Sequence, residues 1–77
     1  MQELLRTIVA GLVEDPSAIA ITEDAPNEEG VIVYHLHVAA DDMGRVIGKQ
    51  GRIARAIRII MRSGAAKSNQ KIEVEID

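Results

Sequence analysis

Seventy-seven residues without a single cysteine leave room for one hydrophobic core and exclude both a disulfide framework and zinc sites built on Cys. A composition that is 47% hydrophobic and 27% charged belongs to a globular chain, not to a disordered one. The net charge of −3 is the wrong sign for an average nucleic-acid binder, but that average hides a strong polarity along the chain.

Leu4, Leu5, Ile8, Val9, Leu12 and Val13 repeat at helical spacing, which predicts an amphipathic helix over Gln2 to Glu14. Asp15-Pro16 closes it, because the residue before proline is pushed out of the helical region and proline has no N–H to offer. Ala18 to Glu23, with Ile19 and Ile21 on one side, reads as a short strand, and the polar run Asp24 to Gly30 as a turn. Val31 to Ala40 is rich in β-branched residues. Ile32, Tyr34, Leu36 and Val38 line one face of it and Val31, Val33, His35 and His37 the other, so this strand is expected to be central. Asp41 or Asp42 is placed to cap a short helix ending at Ile47, which Gly48-Lys49-Gln50-Gly51 interrupts.

From Arg52 the pattern is helical again. At ~100° per residue, Ile53, Ile57, Ile60 and Met61 gather on one side and Arg52, Arg55, Arg58 and Arg62 on the other. Gly64 or the polar run Lys67 to Gln70 ends this helix, and the strict apolar-charged alternation of Lys71 to Asp77 is a half-buried strand. The order α-β-β-α-α-β gives an α+β class: a single domain over residues 1–77 with a three-stranded mixed sheet and helices on one face. The strands flanking the helix pair are parallel if adjacent, since a long crossover joins them. The longest apolar-or-Gly run, Ile8 to Val13, falls far short of the ~18 residues of a membrane span. No signal-peptide pattern is visible, so a cytoplasmic location with no membrane partner is expected. A core this small with no staple also predicts association with a second chain.

The stretch Gly44 to Ile57 carries the chemistry. Two glycines separated by Lys49 and Gln50 allow a sharp turn between helices and let a phosphodiester approach without a Cβ in the way. The N–H groups opening the next helix would face that phosphate, with the positive end of the helix dipole behind them. Residues 1–42 hold nine acids against Arg6 alone, a balance of −8, whereas residues 43–77 hold eight bases against three acids, a balance of +5. The glycine pair lies in the positive part. The four arginines of the long helix have no interleaved acid and would repel one another, which an anionic partner would relieve.

At Val46, Ile47, Gly48, Gly51 and Ile53 the chain resembles the KH family of RNA-binding modules, whose signature is V-I-G-x-x-G-x-x-I. Ile53 stands one position early and Ile57 continues the apolar row. The order of elements is similar to the bacterial type II arrangement over essentially the whole chain. The resemblance implies a clamp for about four nucleotides of single-stranded RNA, low sequence specificity, and an RNA-chaperone type of regulation. It implies that Gly48 and Gly51 admit the backbone, that Lys49 and Gln50 face phosphate, and that Ile47 and Ile53 wall a base groove. Arg45, Arg52 and Arg55 add positive field around it. It also implies a homodimer, a heterodimer with a larger KH-containing protein, or both. A protein-interaction scaffold with nucleic-acid binding in second place is the rival reading.

Other features are less specific. Gly44 to Lys49 brushes a P-loop pattern but has three residues between its glycines and no Ser or Thr for magnesium. His35 and His37 share a strand face and would need Glu73 or Glu75 to complete a metal site; cross-strand pairing of His with Glu is the simpler expectation. Asp41-Asp42 reads as a capping pair, not a catalytic one. Tyr34 is the only aromatic residue, so rows of stacked bases have no platform. No Ser-His-Asp or Cys-His grouping offers a nucleophile, and no cofactor, metal or enzymatic activity is expected.

Overall fold

A computed structural model describes residues 1–77. Helix α1 (Gln2–Ala10) is followed by strand β1 (Ala20–Glu23), strand β2 (Val31–His37), the short helix α2 (Met43–Ile47), the long helix α3 (Arg52–Lys67) and strand β3 (Lys71–Ile76). Single 3-10 turns at Pro16–Ala18, Ala40–Asp42 and Lys49–Gly51 join them. The sheet order is β1-β2-β3. β2 is central, antiparallel to β1 with Ile21 opposite Leu36, and parallel to β3 with Leu36 opposite Ile76. The even-numbered face of β2 supplies Tyr34 and Leu36 to a core completed by Leu5 and Val9 of α1, Val46 of α2, Ile57 and Met61 of α3, and Ile72 and Val74 of β3. Fully burying side chains of this size contributes roughly 1.5–3 kcal/mol each, relative to exposure.

The first helix is shorter than its periodicity suggests. Gly11 N–H and Leu12 N–H bond carbonyls only three residues back, those of Ile8 and Val9, at 3.2 and 2.9 Å. The N–H groups of Glu14 and Asp15 leave the ladder for the side chain of Asp42. The first strand likewise loses Ala18 to the 3-10 turn and Ile19 to the joint after it, although Ile19 and Ile21 are both buried. α3 runs through Gly64 and stops at Lys67, where Asn69 takes a left-handed conformation (φ 58°) and Gln70 N–H bonds Ala65 O at 2.9 Å.

The face that α3 buries is also shifted from the expected one. Ala54, Ile57, Met61 and Ala65 are buried, Ile53 is half-buried, and Ile60 remains 46% exposed beside Ile59 at 55%. The two alanines set the centre of the stripe near Met61, which leaves Ile60 about 100° off it on the helix wheel. One helix side chain bonds the backbone of each edge strand. Gln2 Nε2 donates to the outward carbonyl of Ile21 on β1 at 2.9 Å, and Arg58 Nε to that of Val74 on β3 at 3.2 Å. No helix is long and apolar enough to cross a membrane.

Candidate nucleic-acid interface

The joint between α2 and α3 is built on three departures from ordinary backbone geometry within four residues. Gly48 has φ 74° and ψ 176°, a region essentially reserved for glycine, Gln50 has φ 58° and ψ 26°, and Gly51 has φ 73° and ψ 16°. Gly48 N–H closes α2 on Gly44 O at 2.9 Å, and Gly51 N–H closes the turn on Gly48 O at 3.2 Å. α3 then begins without any side-chain cap, so the positive end of a 16-residue helix faces the loop with N–H donors to spare.

The two glycines, expected to do the same job, do different ones. A Cβ on Gly48 would lie 2.6 Å from Cγ1 of Ile53, so its missing side chain makes room for the protein's own packing. Around the corresponding position on Gly51 nothing lies within 4 Å. Gly51 therefore leaves open space on its side of the loop. Ile53 is half-buried and packs against Gly48. Ile47 stays 37% exposed on the rim. Gln50 at the tip carries the strain of a left-handed residue with a full side chain, worth roughly 1–2 kcal/mol.

A buttress that the sequence reading missed holds α2 in place. Of the two expected candidates, Asp41 and Asp42, it is Asp42 that holds the N-cap position of α2, but no side chain makes a cap bond there. Asp42 is buried at 3% exposure and reaches across 28 residues, accepting the N–H of Glu14 on Oδ1 and that of Asp15 on Oδ2, each at 3.1 Å. Arg45 closes the arrangement with Nε 3.1 Å from Asp42 Oδ1 and an Nη 2.7 Å from Glu14 Oε1. The hydrogen bond from Glu14 leads the effects that hold the Asp42 carboxyl below its ordinary range, against the opposing cost of burial. The i, i+3 spacing of Asp42 and Arg45 was visible in the sequence. Nothing local marked Glu14 and Asp15 as their partners.

The basic residues of α2, the loop and the first eleven residues of α3 thus fall into two sets, while Arg6, Lys67 and Lys71 lie elsewhere without a side-chain partner. Arg45 is matched by two carboxylates, Arg62 pairs with Glu73 at 2.8 Å, and Arg58 is spent on the Val74 carbonyl. No acid is interleaved along the arginine row of α3, as expected, but β3 brings Glu73 to Arg62 from outside the helix. Lys49, Arg52 and Arg55 are exposed, are bonded to no other side chain, and surround the loop within the first turn of α3 and the turn before it. On the opposite face of the sheet His35 Nδ1 lies 3.3 Å from Glu75 Oε2, the cross-strand His–Glu pairing expected, while its Nε2 lies 2.9 Å from Asp24 Oδ2, a partner not expected, and His37 makes no such pair. The bond to Asp24 leads the effects that raise the His35 pKa above 6.5. Tyr34 is buried in the core, and that burial raises its pKa.

Three comparisons bear on this geometry. A family model described as "KhpA/KhpB, KH domain" matches residues 2–76. The RNA-binding protein KhpA of Clostridium acetobutylicum is 46% identical over 76 residues, 99% of each chain, and that of Listeria monocytogenes 45% identical over 99% of this chain and 97% of its own. The KhpA of Treponema pallidum is 40% identical over 97% of this chain and 91% of its own. Among solved structures, Era of Aquifex aeolicus superposes on 96% of this chain with a TM-score of 0.66 at 19% identity. An Era structure in complex with a segment of 16S ribosomal RNA superposes equally well. This chain spans 28% of the Era chain, and the likeness there is one of fold.

Proposed function

The chain belongs to the KhpA/KhpB KH-domain family, and from that premise we propose that it binds single-stranded RNA at the α2–α3 loop, with low sequence specificity and no catalytic step. The observation that carries the reading is the pairing of an open Gly51 with three uncommitted cations, Lys49, Arg52 and Arg55, at the positive end of α3. A phosphodiester seated over Gly51 meets N–H donors head-on, while the cations release counterions from the flanking phosphates. Lys49 and Gln50 supply the tip and Ile47 an aliphatic rim against which bases can rest. Gly48 and Ile53 hold the loop from below, and Arg45 positions α2 through Asp42. With no aromatic surface to stack on, discrimination between bases is weak. The relatives carry names that state RNA binding.

Residues 1–77 act in this reading as one unit, in the cytoplasm, as a regulator of the RNA-chaperone type. Its protein partner is a second copy or a larger KH-containing protein, for which the exposed Ile59 and Ile60 of α3 offer apolar contact. Sedimentation as a monomer at micromolar concentration would remove the homodimer from the proposal. The clamp is tested by changing Lys49 and Gln50 together to Asp. Affinity for a short single-stranded RNA is expected to fall roughly tenfold or more, with the unfolding midpoint unchanged. Unaltered affinity refutes the clamp and favours the scaffold reading, in which only partner binding matters.

A further inference from the structure

Beyond the loop the surface has one recess, of about 300 Å³, at the start of β3 and lined by Val31, Arg62, Gln70, Lys71, Ile72 and Glu73. Its chemistry is mixed in an ordered way. Val31 and Ile72 give its lining an apolar part, and Arg62 and Glu73, joined at 2.8 Å, put a donor and an acceptor side by side. Gln70 also lines it on a backbone fixed by its N–H bond to Ala65 O, yet its side-chain amide bonds nothing in the chain. Phosphate needs donors only, and here it would meet the Glu73 carboxylate. A nucleobase has flat apolar faces and an edge that alternates donors with acceptors, and a lining of aliphatic side chains with an amide and an Arg–Glu pair matches both.

The recess is also in line with the loop. Arg55, Arg58 and Arg62 follow one another along the side of α3 that meets β3, as the bond from Arg58 to Val74 and that from Arg62 to Glu73 show. From Arg52 to Arg62 the helix axis covers roughly 15 Å. We propose that this recess receives a nucleobase of the bound strand beyond the part held at the loop, so that the site is longer than its clamp. This rests on the RNA-binding reading above and names a second contact within the same interface.

The test compares RNA lengths. Full-length protein and the Gln70→Ala variant are titrated with a single-stranded RNA of about four nucleotides, the length a KH clamp holds, and with one about twice as long. The wild type is expected to bind the longer strand more tightly. Gln70→Ala is expected to lose roughly threefold to tenfold on that strand alone, the effect of one hydrogen-bonding contact, and nothing on the short one. Equal losses on both lengths, or none on either, overturn the recess while leaving the clamp standing. A Lys71→Ala variant that lowers the salt dependence for the long strand, with Gln70→Ala silent, also overturns it by assigning the recess to phosphate. Failure of the wild type to bind either strand overturns the RNA-binding reading itself.

Discussion

The two ends of the basic segment use the same residue types to opposite ends. At the start of α3, Lys49, Arg52 and Arg55 bond to no other side chain, whereas Arg58 and Arg62 further along are tied to β3, and Arg45 just before the loop is held between Glu14 and Asp42. The positive segment that stands out along the chain is therefore partly cancelled by folding, because acids from the other half and from β3 fold onto it. A count of arginines overstates an interface. What sets the loop apart is that three cations without a side-chain partner, Lys49, Arg52 and Arg55, stand together with an uncapped helix end and an open glycine.

The sharpest division within the loop itself is between its glycines. Gly48→Ala combines a Gly-only backbone with a clash against Ile53 and is expected to lower stability by about 2–5 kcal/mol in chemical denaturation. Gly51→Ala meets open space and is expected to cost about 1 kcal/mol, the left-handed penalty partly offset by a less flexible unfolded chain. Equal costs would mean that the two positions are not distinct. Next in size is Asp42→Asn, which weakens the acceptor shared by Glu14, Asp15 and Arg45 and should lower the unfolding midpoint. Because the folded pKa of Asp42 is depressed, its contribution is complete above the ordinary value of 3.8 and is lost as pH falls below it. An acid-unfolding curve no less steep in the variant than in the wild type would disprove that link.

The division among the cations is tested by salt. Replacing Arg55 with Ala should reduce the slope of log affinity against log salt by about 0.7, one phosphate contact on a single strand. Arg45→Ala should leave that slope in place, since its charge is already balanced; a matching reduction would return Arg45 to the interface. The smallest effect expected is at His35. Its raised pKa means that its ion pairs with Asp24 and Glu75 stabilise fully below the ordinary value of 6.5 and fade as pH rises through the higher folded value. His35→Gln should flatten a shallow decline in thermal midpoint over that window and leave RNA binding alone.

Most of the architecture was legible because it rests on local periodicity. The alternation of Lys71 to Ile76, the two-faced apolar run of Val31 to Val38 and the breaks at Pro16 and Gly48 are enough to order the elements and to make β2 central and parallel to β3. The loop was legible as a glycine pair, but not the difference between its members, which depends on where Ile53 packs. The exposure of Ile60 was missed because the apolar side of α3 was centred on its isoleucines, while Ala54 and Ala65 decide how the helix sits on the sheet. The buttress of Asp42 was missed for a more basic reason: it joins groups 28 and 27 residues apart, and no spacing rule reaches that far.

The edges of the sheet bear on how such a protein behaves in a crowd. A module that settles at many places along one polymer raises its own local concentration, and exposed strand edges would then zip neighbouring copies into fibrils. Gln2 on β1 and Arg58 on β3 each occupy an outward carbonyl that an incoming strand would need. A strand approaching either edge therefore meets a carbonyl that is already bonded within the chain, which disfavours edge-to-edge pairing of neighbouring copies.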